Sequence, residues 1–183
     1  MESLRGYLLV AGAGLEEPNF RRTVILVGEH GEQGALGVVL NRPSPIPVEE
    51  VVPPLAELIA PAGGASVVYV GGQVQPEAIV VLADFVDPSL AAVVVLDSVG
   101  FLPGDLEADP APELRRARVF AGYAGWGSGQ LEAELDESAW IVEPAQLADI
   151  FTGDPGSLWR NVLRRKGGPY ALLAQMPDDL SRN

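Results

Sequence analysis

Cysteine is absent from the 183 residues, and histidine and lysine occur once each, as His30 and Lys166. Without a thiol there is no disulfide, zinc–thiolate or iron–sulfur site and no cysteine nucleophile, although either redox compartment stays open. One histidine rules out multi-histidine zinc centres. It leaves only carboxylate-rich sites for magnesium or calcium, and the spacing of the acidic residues shows no convergence. Lys166 stands before Gly167 with no glycine loop ahead of it, so a Walker A phosphate loop is excluded. Positive charge is scarce overall: 12 basic against 25 acidic side chains leave a net charge of −13. A field of that sign repels phosphodiester backbones and anionic bilayers, so neither direct nucleic-acid binding nor a membrane partner is expected. Long apolar runs are missing too, since none approaches the ~18 residues of a membrane span. Residues 1–5 and the short apolar run 7–11 lack the basic segment and sustained apolar core of a signal peptide, which predicts a cytoplasmic protein.

What is present is 48% apolar residues, in a length that suits one domain spanning residues 1–183. Such a chain buries roughly two-thirds of its unfolded surface without a staple. Apolar, β-branched runs at 7–11, 23–27, 35–40, 66–70, 79–82, 92–96, 118–122 and 140–142 read as strands. The runs 23–27 and 35–40 form a hairpin with a four- or five-residue connection around His30. The continuous apolarity of 66–70, 79–82 and 92–96 predicts central strands covered on both faces. Residues 48–59 have helical spacing interrupted by Pro53 and Pro54, which predicts two short helical pieces or one that starts at Pro54. An acidic surface loop at 105–112, a helical turn at 113–117, a glycine loop at 122–129 and short helices at 130–137 and 145–151 follow. Residues 156–166 predict an amphipathic helix with Leu158, Trp159, Val162 and Leu163 on its apolar face and a basic last turn that suits the helix dipole. Gly167-Gly168-Pro169 supplies its stop signal. The expected fold class is α+β: a single domain with a mixed β-sheet, hairpins flanked by short helices, and a C-terminal amphipathic helix.

Gly12-Ala13-Gly14-Leu15-Glu16-Glu17 fails the dinucleotide fingerprint, because Glu17 stands where the third glycine must admit close helix packing. Gly125-Trp126-Gly127-Ser128-Gly129 does not match a nucleophile elbow. Asp84, Asp87 and Asp97 end apolar runs and read as residues that solubilise loops. Three clusters remain. Asn19-Phe20-Arg21-Arg22-Thr23 places a cationic pair at a loop-to-strand junction, either as a solvated edge with Phe20 anchored in the core or as part of an anion site. His30 and Asn41-Arg42-Pro43 fall at opposite ends of the hairpin strands and meet only if another segment joins them. In residues 122–130 four glycines permit close backbone approach, and Ser128 suits the N-cap of a helix whose free amides suit an anion. The alternative there is that Tyr123 and Trp126 pack on the core and the glycines only turn the chain.

Together, Asn19-Phe20-Arg21-Arg22-Thr23-Val24, Glu29-His30, Gly37 with Asn41-Arg42-Pro43, Tyr69-Val70-Gly71-Gly72-Gln73-Val74, and residues 119–127 through Gln130-Leu131-Glu132 have a distinctive order and spacing. In these, nearly the whole chain resembles the YqgE/AlgH family of bacterial proteins. Gln73 and Ser128 stand where that family usually has proline. The resemblance implies a cytosolic α+β protein with no established enzymatic activity and, in one branch, a transcriptional regulator of exopolysaccharide synthesis. A direct DNA-binding role needs a basic face. Arg115, Arg116, Arg118, Arg160, Arg164, Arg165 and Lys166 are set against an acidic whole with no helix-turn-helix pattern, so regulation is expected to run through a protein or small-molecule partner.

The expected function is therefore a non-enzymatic binding or regulatory module for a small anionic molecule or a protein partner, with no cofactor and no metal. The predicted cleft is lined by Phe20, Arg22, His30, Asn41, Arg42, Gly71, Gly72, Tyr123, Gly125, Trp126 and Gly127. Its arginines would hold an anion bidentately and its aromatics would supply stacking area. The alternative is a hydrolase of a small anionic substrate, with His30 as general base and Arg42 as electrostatic stabiliser. A third reading makes Tyr69, Phe120, Trp140 and Trp159 plain core in a protein whose role is assembly. The cleft readings require their side chains on one face.

Overall fold

A computed structural model describes residues 2–62, 67–107 and 109–177. The run Tyr7–Ala11 forms β1, buried beyond Tyr7 because both of its faces are covered. It pairs antiparallel with β2 (Val24–Gly31), which turns through Glu32 and Gln33 into β3 (Gly34–Val39). The connection is two residues, shorter than expected. Gly34 at φ +129° opens the return strand, and a bulge between Val27 and Glu29 absorbs one residue. His30 therefore lies within a strand and not in a loop. On the other side of β1 runs β10 (Trp140–Pro144).

The helical turn predicted at 113–117 and most of the glycine loop at 122–129 are instead one 13-residue strand, β9 (Leu114–Trp126). Its partners explain how so glycine-rich a segment stays extended. Along one side lies β6 (Val74–Phe85), antiparallel. On the other, β5 (Val67–Val70) runs parallel to Val119, Phe120 and Ala121, and β3 runs antiparallel to Ala124, Gly125 and Trp126. The change of neighbour falls at Gly122, whose φ of +74° is a left-handed conformation that glycine tolerates. Gly71 and Gly72 pass against this point: a Cβ on Gly72 would collide with the backbone of Tyr123, and one on Gly71 with the carbonyl of Gly122. Residues 43–47, where the sequence shows only a stop, form β4 (Pro43–Pro47) beside β5. Proline is tolerated there because an edge strand has donors to spare.

β8 (Val99–Phe101), too short to show a pattern, and β7 (Val93–Leu96) complete the order β10-β1-β2-β3-β9-β6-β8-β7, with β4 and β5 attached through β9. β7 ends that order and leaves Val94 exposed, a correction to its expected central place. Among the described strands the β5–β9 pairing is parallel and the others are antiparallel, so the sheet is mixed and the class is α+β. Ser66, at the start of the run 66–70, and Ala108, in the acidic loop, lie outside the described residues. The rest of 105–112 is irregular and largely exposed.

The sheet curls, because Leu8, Leu26 and Val38 share one core with Leu82, Val95 and Val99 from its other end. Phe101 fills the space over Gly28, where an added Cβ would lie 2.6 Å from the ring. After α4 (Leu147–Ile150), α5 (Leu158–Lys166) closes this core with Leu158, Trp159, Val162 and Leu163, each burial being worth about 1.5–3 kcal/mol. α3 (Gln130–Asp136) adds Leu131 to a second core containing Leu9, Ile25, Ala124 and Trp126. α1 (Val48–Val51) and α2 (Pro53–Ile59), the two pieces foreseen around the prolines, cover Val81, Phe85 and Val119. Ser128 does not cap α3. The N-cap is Gly129, and the Ser128 hydroxyl donates to the Glu32 carbonyl at 2.6 Å. Past the stop at Gly167, Pro169 begins a further helix, α6 (Pro169–Leu173), at a position where its missing N–H is harmless. No helix among the described residues is long and apolar enough to cross a membrane.

Candidate functional site

The loop before β2 makes a tight turn in which the amides of Phe20 and Arg21 both donate to the Glu17 carbonyl. Arg22 then adopts φ +56°, a conformation that a non-glycine residue keeps only when held. Asn41, just past β3, holds it: its Oδ1 accepts from the Val24 amide at 3.0 Å and its Nδ2 donates to the Arg22 carbonyl at 2.8 Å. The next residue, Arg42, donates through Nη2 to the Arg21 carbonyl at 2.8 Å. Three arginines from two loops are thus laced side by side. Arg160, in the first turn of α5, comes from a third direction. With Pro155, Gly156 and Trp159 they enclose a recess of about 180 Å³ whose described lining contains no aspartate or glutamate.

Two of the four guanidiniums are anchored by the segment after α6. Arg22 lies 4.4 Å over the Trp159 ring and donates to the carbonyls of Met176 and Pro177 at 2.9 and 2.7 Å. Arg160 donates to the carbonyls of Ala174 and Met176 at 3.1 and 3.3 Å. The other two carry more unused donors. Among the described residues Arg42 has no carboxylate partner, and burial pulls its guanidinium below its ordinary value. Arg21 meets no hydrogen-bond or ion-pair partner through its side chain among the described residues. Arg160 also sits at the positive end of its helix, a placement the helix dipole disfavours.

A sequence profile described as AlgH-like matches residues 8–171. The chain belongs to the AlgH-like family. It is 44% identical over 194 residues to a UPF0301 protein of Streptomyces coelicolor, an alignment spanning 100% of this chain and 97% of the relative. The crystal structure of a protein from Corynebacterium diphtheriae superposes with a TM-score of 0.82 at 29% identity, covering 96% of this chain and 94% of the other. The solution structure of the AlgH protein from Pseudomonas aeruginosa gives 0.70 at 31% identity, covering 97% and 96%. The family read from the motif order is thus the right one.

In this AlgH-like chain Arg22, Asn41 and Arg42 come together, and the rest of the predicted cleft does not join them. His30 sits at the far end of β2, six residues from Val24 and so about 20 Å away. Its Nδ1 accepts from the Leu4 amide at 2.9 Å, so Nε2 carries the hydrogen and donates to Glu132 Oε1 at 2.6 Å. That bond holds the Glu132 carboxyl below the usual carboxylate range. With both ring nitrogens committed and the side chain 3% exposed, His30 has no lone pair for a substrate, and the His30–Arg42 pairing of the hydrolase alternative is not formed. Phe20 packs edge-on to Trp140 at 6.0 Å. Tyr123 lines a separate apolar recess with Val80 and Phe101. Trp126 is buried, and its Nε1 shares Glu134 Oε1 with that of Trp140 at 3.3 and 3.0 Å. Gly71 and Gly72 serve the strand crossing, Gly125 lies exposed in β9, and the Gly127 amide donates to Gln130 Oε1 at 3.0 Å.

Sequence reasoning singled out neither Arg21 nor Arg160 as a site residue. One signal for Arg160 was there to find: an arginine in the first turn of a helix whose basic residues otherwise gather in the last. Tyr69, Phe120, Trp140 and Trp159 are indeed buried. Among the described residues no three histidine, aspartate or glutamate side chains are grouped to hold a metal.

Proposed function

We propose that this chain is a non-enzymatic binding or regulatory module whose ligand is a small anion held in the arginine recess. One observation carries the reading: Arg21 and Arg42 bring unused donors into a recess whose described lining has no carboxylate, in a protein with twice as many acidic as basic residues. Half-buried like charges disfavour one another, and an anion that accepts from several guanidiniums removes that penalty. A thermal-shift screen against nucleotides, sugar phosphates and small carboxylates tests it. A ligand at a hundred times its Kd stabilises the fold by about 2.7 kcal/mol, which for a chain of this size raises Tm by roughly 5–10 °C. Arg42→Ala, with an unchanged circular dichroism spectrum, is expected to abolish the shift. No shift with any anion refutes the reading and turns attention to a protein partner.

A further inference from the structure

The first core stays open at the end of β2 far from the arginines. The bulge after Val27 sets Glu29 opposite Leu36, and alternation along β3 puts Val38 on the same face as Leu36. Leu36 in turn stands opposite Gly125 of β9, where an added Cβ would lie 3.7 Å from the Leu36 side chain, so Tyr123, two residues earlier, shares that face. Val80 of β6 and Phe101 of β8 close the other wall of a recess of about 340 Å³. Nothing in the described fold fills it, and Leu36 remains 41% exposed. The polar atoms on its described side chains are the Glu29 carboxylate and the Tyr123 hydroxyl, and neither meets a hydrogen-bond or ion-pair partner among the described residues. Arg5, on the same edge, donates its Nε to the Gly28 carbonyl at 3.1 Å and makes no ion pair with Glu29.

Size, surface and charge together select an occupant. The volume lies near the lower end of the ~300–1,000 Å³ of small-molecule pockets, which suits a compact molecule. Aliphatic and aromatic walls favour burial of a hydrocarbon body, and the faces of aromatic rings attract cations. A lone carboxylate at the rim, in a chain of net charge −13, repels an anion and leaves a neutral ligand with no use for it. An ammonium has three donors to give to the carboxylate and the phenolic oxygen. We propose that this recess binds a small amphipathic amine, with its ammonium at Glu29 and Tyr123 and its apolar body between Leu36, Val80 and Phe101. The site is separate from the arginine recess and does not depend on the ligand proposed there.

The test follows the amide chemical shifts of isotope-labelled protein during titration with phenethylamine, phenethyl alcohol, hydrocinnamate and ethylamine at neutral pH and matched ionic strength. Phenethylamine is expected to shift the amides of Gly28, Val38 and Tyr123 saturably. It should bind at least about tenfold more tightly than each of the other three, the worth of one charge-assisted hydrogen bond. Glu29→Gln, a near-isosteric change at an exposed position, should bring the amine down to the affinity of the alcohol and leave the alcohol unchanged. The alcohol or hydrocinnamate binding as tightly as the amine overturns the choice of a cation. Ethylamine binding as tightly overturns the role of the apolar walls. Saturable shifts confined to other residues, amine binding indifferent to Glu29→Gln, or no binding by the folded protein overturns the whole inference. Because the readout is local to this recess, each of these results leaves the reading of the arginine recess untouched.

Discussion

His30 shows how far a residue's type can mislead about its work. The lone histidine of a chain is the natural candidate for a base, and the sequence contains nothing that says its two nitrogens are taken. Their partners, Leu4 and Glu132, lie 26 and 102 residues away. Asp84 is the converse, a carboxylate that reads as a loop residue and is a buried ionic anchor, 3% exposed within β6. Burial alone would raise its pKa. The 2.6 Å bond from Ser98, together with Arg116 and Arg115 at 3.3 Å, outweighs that and holds the carboxyl below the usual carboxylate range. Because the folded value is the lower one, the unfolded chain binds the proton first as the pH falls. The contribution of Asp84 is therefore complete above the unfolded value near 4 and disappears as pH drops through the folded value. Urea unfolding of the wild type and Asp84→Asn across that acid range should show the variant already weaker at neutral pH and losing less stability on acidification. Parallel curves would mean that Asp84 titrates alike in both states.

At the scale of elements, legibility followed the rule of one period, one environment. β1, the β2–β3 hairpin, α3 and α5 each keep a single pattern from end to end, and each stands within a few residues of its expected place. β9 changes environment along its length: arginines at its start, core residues at Val119 and Phe120, then glycines where it swaps β5 for β3. Read locally, that is a turn, a strand and a loop. The same locality divided the site: Arg22 and Asn41-Arg42 stood out in local clusters, whereas the only sequence signal for Arg160, its place in the first turn of α5, says nothing of its meeting them. The glycines permit a direct contrast. Gly72 and Gly129 both have positive φ, but a Cβ at Gly72 meets the backbone of Tyr123 and one at Gly129 meets nothing within 4 Å. Gly129→Ala should cost only the conformational penalty, about 1–2 kcal/mol. Gly72→Ala must in addition part β5 from β9 and should cost more than about 4 kcal/mol, where single substitutions become exceptional. Urea midpoints measure both; equal losses would mean that the crossing yields without strain.

For the whole molecule, the net charge of −13 and a cluster of four arginines are compatible because they act over different distances. Carboxylates farther from an incoming anion than the Debye length, about 8 Å at physiological ionic strength, are screened. A guanidinium in contact acts at about 4 Å, where a pair is worth about 4 kcal/mol at an effective dielectric constant of 20. Any small anion that enters the recess feels mainly the near term. A duplex differs, because it carries one charge for about every 1.7 Å and must lie along a surface, meeting the acidic field over its whole length. Among the described residues, several basic side chains outside the recess are engaged elsewhere in the fold. Arg115 and Arg116 flank Asp84, Arg165 is bound to Asp149, and Arg118 is turned inward to Tyr69 and the Thr152 carbonyl. Duplex DNA should therefore show no mobility shift with this protein at physiological salt. A shift that weakens with salt and disappears in Arg42→Ala would show that the recess grips a phosphodiester backbone.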